Sequence, residues 1–488
     1  MKHLWKHLAC LVLAAVLLTG CGKSEQQNGE VLLERVLNGA AFDTQLSEVG
    51  SNAVLYFPDL PEGTQIRLYT GSGYYADEAA LLTVPRKKDL PQAEKVLENH
   101  LKELKDQFQN YVPGEVGKIE RAVTVQSENQ ILLCISRDSG LVRALLDGSG
   151  SDAKPEQNLP EQTADPTLAS AVPQSGSDPE LLSRSGQYHD YENGVIRVDD
   201  AAFEQYTYTD GPAQAYADVV NAVAKALKGE TKVYDLVIPT AVGIVLPDDI
   251  AKILPNYSDQ GTATERILSK LSTDVIGVNP YENLRAHRTE YLYFHTDYHW
   301  NGRGAYYAYE TFCQAKGIRP YSLEERREEQ FPDFLGVLYW KHSGQDERLK
   351  QNPDTVEAFH PHSPRAYMRY TDSRGNTYDW NIISDVSDWS KDSKYSTFAA
   401  ADNPIAVFQN PDVTDGSVAV VVKESYGNAL LPYLVDHYST VYELDYRYWS
   451  GSLTEFVREK GADDLIFANN LTMIGSNFLI GKLADIAK

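Results

Sequence analysis

Cations are scarce in this chain: 45 lysines and arginines stand against 69 aspartates and glutamates, a formal charge of −24 over 488 residues. Such a balance repels polyanions over a Debye length, which excludes nucleic acid and anionic lipid as ligands. Cysteine is scarcer still. The four are Cys10, Cys21, Cys134 and Cys313; no CxxC pair or histidine-rich cluster accompanies them, so no metal and no cofactor is expected. Cys134 falls in the apolar run Ile131 to Ile135 and Cys313 inside a helical pattern, in different domains. Both read as small buried hydrophobes, and a disulfide is not expected. Long apolar runs are also missing: nothing after the first twenty residues approaches the roughly 18 residues that cross a bilayer.

The apolar run at the start, Leu8 to Leu18, follows Lys2 and Lys6 and is too short to span a membrane as a mature helix, so residues 1–20 read as an export signal. It ends in Leu18, Thr19, Gly20 and Cys21, which resembles the bacterial lipobox. The resemblance implies that Cys21 is lipidated and becomes the mature N-terminus, anchoring an extracytoplasmic protein to the membrane. Each buried methylene of the acyl chains would contribute about 0.8 kcal/mol to that anchor. Removal of residues 1–20 takes away two lysines and moves the formal charge from −24 to −26.

Composition divides the rest. Residues 21–29 read as a tether, 30–147 as a small α+β domain, 148–193 as a flexible linker rich in Gly, Ser, Pro and acidic residues, and 194–488 as the larger domain. In the small domain Ala79 to Val84 reads as a strand. Pro91 opens a helix carrying Leu97, Leu101, Leu104, Phe108 and Tyr111 at 3–4 spacing, and two strands flank Ser127–Glu128–Asn129 before a helix at Leu141 to Leu146. The order β-α-β-β-α carries no acid–base pair or nucleophile. This stretch resembles an uncharacterised bacterial lipoprotein domain, which implies a binding or spacer role. The larger domain alternates helical patterns with apolar strands such as Val233 to Ile238 and the continuous run Val418 to Val422, and so predicts an α/β fold with a mostly parallel, buried sheet. Functional residues of such sheets gather beyond the carboxyl ends of the strands.

Two segments sit at such places. In Thr296–Asp297–Tyr298–His299–Trp300–Asn301–Gly302, Asn301 is a natural helix N-cap, which puts Asp297 and His299 in an extended lead-in where residues i and i+2 share a side. Asp297 can then orient the imidazole. In Val420 to Asn428, Ser425 lies just past a buried strand and before an apolar helix, beside backbone N–H groups free to stabilise an oxyanion. Alone, an Asp-x-His pair is as often an ordinary surface bond, and a serine after a strand is usually a helix cap.

Thr296–Asp297–Tyr298–His299–Trp300 resembles the motif that names the DHHW family, and Lys423–Glu424–Ser425–Tyr426–Gly427–Asn428 resembles its serine segment. Further matches run through Pro239–Thr240–Ala241, Tyr281 to Leu284, Asp333 to Gly336, Pro353 to Thr355 and Asp445 to Trp449. The likeness covers roughly residues 195–488, and the family is similar to the AlgX/AlgJ-type SGNH-hydrolase-like proteins that acetylate polysaccharides. It implies an SGNH-hydrolase-like sheet flanked by helices, with Asp297 orienting, His299 as general base and Ser425 as nucleophile. The departures are Tyr298, where the name motif has a histidine but the side chain should point away from the Asp–His side, and Glu424, where aspartate is commoner. Tyr426, Gly427, Asn428, Arg447, Asn469 and Asn470 are weaker candidates for substrate or oxyanion contacts. An arginine near a strand end is more often an ion-pair partner, and loop asparagines more often make turns. His295 ranks as structural.

Three functions compete: an O-acyltransferase or acetylesterase working through an acyl-Ser425 on a surface glycan, an idle glycan-binding module, and a lipid-tethered assembly factor. The intact trio favours the first. The partners then expected are a glycan acceptor and a membrane-bound acyltransferase as acyl donor.

Overall fold

The computed structural model describes residues 28–44, 46–71, 75–111, 115–147, 186–255 and 257–488. The export signal, Cys21 and residues 148–185 of the expected linker lie outside the described residues. The chain divides into two units, residues 1–163 and 164–488.

In the first unit β1 (Ser47–Glu48), β2 (Gln65–Thr70), β3 (Glu78–Thr83), β4 (Val123–Ser127) and β5 (Gln130–Ile135) form one antiparallel sheet in the order β1-β2-β3-β5-β4. Strand alternation sends Ala79, Leu81, Leu132 and Cys134 to one face, where they meet Leu32, Leu33 and Val36 of the helix Gly29–Gly39 and Val142 and Leu146 of the helix Ser139–Leu146. The helix Leu90–Tyr111 buries Leu97, Leu101, Leu104 and Phe108 and packs on β5. The sequence pattern places the first element of this domain at Ala79. The structure adds the helix Gly29–Gly39, whose cap Asn28 accepts the Glu30 N–H, and the strands β1 and β2. Gly29 therefore belongs to a helix and not to the tether.

The second unit opens with a three-stranded antiparallel sheet of β6 (His189–Asp190), β7 (Val195–Val198) and β8 (Ala201–Glu204). His189 pairs with Arg197 and Asp190 with Ile196. The expected linker thus ends earlier than residue 193: composition registers His189 to Gly194 as polar, while Glu192 at φ 59° and Gly194 at φ 85° turn it back as a hairpin.

The large sheet has eight strands: β9 (Lys232–Ile238), β10 (Val275–Val278), β13 (Tyr367–Thr371), β14 (Thr377–Trp380), β15 (Ile405–Gln409), β16 (Val418–Lys423), β17 (Thr440–Asp445) and β18 (Asp464–Asn470), in the order β10-β9-β18-β16-β17-β15-β13-β14. The first five in that order are parallel; the other three extend the sheet by antiparallel pairing. Mostly parallel therefore describes one end only. The central parallel strands β9, β16 and β18 are buried on both faces along nearly their whole length, whereas β13 alternates exposed Tyr367 and Arg369 with buried Met368. Ala419, Val420, Val421 and Val422 of β16 are fully buried, and each valine contributes about 1.5–3 kcal/mol. A two-stranded sheet, β11 (Glu328–Phe334) with β12 (Asp354–Phe359), completes the unit.

Among the described residues, no helix is long and apolar enough to cross a membrane. Cys134 and Cys313 are free and buried.

Candidate active site

The strands β16, β17 and β18 run in parallel and end side by side at Lys423, Asp445 and Asn470, and Ser425 stands two residues beyond the end of β16. The histidine segment reaches it as a closed loop. Tyr293 and Trp300 bridge in antiparallel fashion, the Phe294 N–H donates to the His299 carbonyl and the Asn301 N–H to the Leu292 carbonyl. Residues 295–299 are bends, so the predicted extended lead-in is not what brings Asp297 to His299. The Asp297 carboxylate instead accepts the His299 backbone N–H at 3.0 Å, an Asx turn that folds the ring onto it. Asn301 caps the helix Gly302–Lys316 as expected from its position, accepting the Gly302 N–H.

The three side chains form one hydrogen-bonded line. His299 Nδ1 lies 2.6 Å from Asp297 Oδ1, and His299 Nε2 lies 2.7 Å from Ser425 Oγ. All three residues are buried, with 3–6 % of their surface exposed. Burial works to raise the Asp297 pKa, but the adjacent His299, its N–H and the Val337 N–H outweigh it, so the carboxyl is held below its ordinary range. Two tethers lock the serine segment to the histidine segment: Trp300 Nε1 donates to the Tyr426 carbonyl at 2.9 Å, and the Tyr426 hydroxyl donates to the Tyr298 carbonyl. Tyr298 packs against the cluster of Val195, Ala202, Leu335 and Leu338, and its ring lies 4.4 Å from that of His299.

A further layer holds Asp297. The Asp354 carboxylate accepts the N–H groups of His295 (2.7 Å) and Thr296 (2.8 Å) and the hydroxyls of Tyr291 and Thr296. Thr296 Oγ1 accepts the Gly336 N–H at 2.8 Å, and Asp297 Oδ2 accepts the Val337 N–H at 2.9 Å. A side chain on Gly336 would meet the Asp297 Cβ at 2.2 Å. His295 bonds Asn352 through Nδ1 and meets the Tyr291 ring at a tilt of 56°, a structural place.

The weaker candidates take other roles. The Tyr426 N–H is engaged by Glu424 Oε2 at 3.1 Å, the Gly427 N–H by the Glu424 carbonyl at 2.9 Å and the Asn428 N–H by the Ser425 carbonyl at 3.2 Å, so these amides are not free for an oxyanion. Glu424 is fully buried. Its other oxygen accepts the Asn470 N–H, so it clamps β16 to β18 behind the serine; burial raises its pKa, with Arg447 pulling the other way. Arg447 is an ion-pair partner, forked onto Asp445 at 2.8 and 2.6 Å and reaching Asp402 at 3.0 Å. Lys423 lies 2.8 Å from Glu443 and 3.1 Å from Asp445, and donates to the Asn428 side chain at 2.6 Å. The Asn428 amide in turn donates to Asp402. Gly427 is required by the approach of Lys423, whose Cβ would lie 2.6 Å from any Cβ there. Asn470 caps the short helix Leu471–Ile474, and Asn469 donates to the Tyr216 hydroxyl at 3.2 Å.

Sequence reasoning missed three neighbours of the line. Glu204, at the end of β8, accepts from Thr472 and acts electrostatically on His299 and Asp297; burial pushes its carboxyl up to about 7. Asp402 follows Ala399, Ala400 and Ala401, three consecutive residues at φ 52°, 61° and 62°. Tyr395 lies against the His299 ring. Gly336 and Asp354 stood inside segments already matched on sequence, whereas nothing in a single chain singles out Glu204 or Tyr395.

A buried serine–histidine–aspartate line at the carboxyl edge of parallel strands defines a class of α/β protein equipped for nucleophilic chemistry. The chain belongs to the DHHW family, whose match, described as DHHW protein, covers residues 183–444 and so includes all three residues. No curated protein matches it in sequence. Among solved structures, a DHHW family protein from Eubacterium siraeum is similar at 26% identity, over 60% of this chain and 95% of that one, with a TM-score of 0.54. Bacillus cereus PatB1 with a sulfonyl adduct is similar at 17% identity, over 60% and 98% of the two chains, with a TM-score of 0.50. The O-acetyltransferase domain of Pseudomonas putida AlgJ aligns at 14% identity over 59% and 92%, with a TM-score of 0.32.

Proposed function

We propose that this protein is a cell-surface O-acyltransferase, held to the membrane through Cys21, that moves an acetyl group to an extracellular or cell-wall glycan through an acyl-Ser425 intermediate. The observation that carries the reading is the unbroken line from Asp297 through His299 to Ser425. In the first half-reaction Ser425 Oγ attacks the donor's acyl carbon while His299 Nε2 takes the hydroxyl proton and passes it to the departing group. In the second a sugar hydroxyl gives its proton to His299 and attacks the acyl-serine, which restores Ser425 and leaves the sugar ester. Asp297 fixes the tautomer and stabilises the imidazolium formed in both halves. Membership of the DHHW family, with its resemblance to polysaccharide acetylating proteins, supports the class of acceptor. A membrane-bound acyltransferase fits as the acyl donor.

The test needs no native substrate. Purified protein should release p-nitrophenol from p-nitrophenyl acetate, because good leaving groups need no acceptor site. Ser425→Ala and His299→Ala should each lower the rate by about a hundredfold or more, and the double variant should be little worse. Intact mass after brief exposure should show one added acetyl group, absent from Ser425→Ala. Turnover that survives Ser425→Ala rules the serine out as nucleophile.

A further inference from the structure

Tyr395 touches both working members of the line. Its ring lies face to face with the His299 imidazole, centroids 4.0 Å apart and planes 14° from parallel, and its hydroxyl donates to the Ser425 carbonyl at 3.0 Å. Phe294 and Phe398 brace the tyrosine ring edge-on, at 6.0 and 5.3 Å. Tyr298 and Tyr426 meet the same imidazole only at tilted angles of 46° and 45°.

We propose that Tyr395 is a positioning residue for acyl transfer: its face holds the His299 ring in the plane that aims Nδ1 at Asp297 and Nε2 at Ser425, and its hydroxyl fixes the backbone of the nucleophile. The proposal rests on the acyl-serine reading. An aromatic face also attracts a cation, so it favours the imidazolium that appears when Ser425 Oγ gives its proton to Nε2. Tyr395 itself exchanges no proton. Burial first, then Glu424, Asp297 and Asp402, push its hydroxyl well above the ordinary tyrosine range, which keeps it a donor. Carboxylates that interact electrostatically with His299 include Asp297, Glu204, Glu424 and Asp402, from four different segments. Tyr395 supplies the flat apolar wall that these polar neighbours do not.

The measurement is steady-state hydrolysis of p-nitrophenyl acetate by the full-length protein, with thermal melting as the control for folding. Tyr395→Leu should lower kcat about tenfold or more with KM within about twofold, and Tyr395→Phe, which keeps the ring, should restore kcat to within about threefold. The carbon-bound ring protons of His299 give an NMR readout that does not need turnover. Shielded by the tyrosine face, they should move downfield in Tyr395→Leu and hold their place in Tyr395→Phe. A Tyr395→Leu protein with wild-type kcat, in an assay that Ser425→Ala abolishes, overturns the proposal alone. So does equal loss in the Phe and Leu variants. Turnover that persists in Ser425→Ala overturns the acyl-serine reading and this proposal with it.

Discussion

At the scale of single residues, Gly336 shows how tightly Asp297 is held. Its Cα faces Asp297 so closely that an added methyl would sit 2.2 Å from the Asp297 Cβ and 2.3 Å from Oδ2. The Cβ is fixed to the backbone, so no rotamer change relieves the clash and the Asp297 loop must move. Gly336→Ala should therefore cost about 1–3 kcal/mol of stability and reduce turnover roughly a hundredfold, since a displacement of about 1 Å is enough for that loss. Melting and ester hydrolysis on the same sample check both. A variant with normal turnover would show that the loop tolerates the shift. Asp297→Asn makes a useful contrast, because that substitution keeps the shape and removes only the charge and the correct tautomer.

At the scale of elements, what the sequence made legible follows from where the strands lie. Val233 to Ile238, Val418 to Val422 and Asp464 to Ala468 are buried on both faces, so composition alone marks them, and the strand after which Ser425 falls was placed correctly. The antiparallel edge was not legible, since β13 and β14 carry exposed polar and aromatic residues that read as loop. The spacing of Asp297 and His299 was visible, but the Asx turn that joins them depends on Asp354 and Gly336 from distant segments. Free amides after Ser425 were expected from position; Glu424, one residue before the serine, occupies one of them through its side chain. The most telling element is β9, which buries Asp235 completely, with Tyr216 donating at 2.6 Å to one oxygen and no partner for Oδ2 among the described residues. Burial pushes this carboxyl up to about 7, against the bond from Tyr216. Unfolded, it ionises near pH 4; folded, it keeps its proton to about pH 7. Its contribution is thus complete below pH 4 and is lost as pH rises towards 7, by about 4 kcal/mol. Denaturant melts should show Asp235→Asn gaining on wild type by about that much between pH 4 and pH 8. A difference that does not change with pH would mean that the carboxyl is already ionised at pH 4.

At the scale of the whole molecule, the two units have separate cores, and each sheet closes on residues of its own unit. Residues from 186 onward should fold without the first unit, and a chain started at Gly186 keeps the β6 pairing that one started at Val195 loses. Each core also contains one free cysteine, Cys134 in the first and Cys313 in the second, both almost wholly shielded. Burial pushes both thiols up, that of Cys313 to about 12, so neither reacts while its unit stays closed. Nature has in effect installed two clocks, one per unit, each started only by opening. Alkylation with iodoacetamide, followed peptide by peptide in rising denaturant, should run at two rates with two midpoints, and a single shared midpoint would mean that the halves open as one. The same pair of thiols would report which half of the protein yields first to heat or to acid.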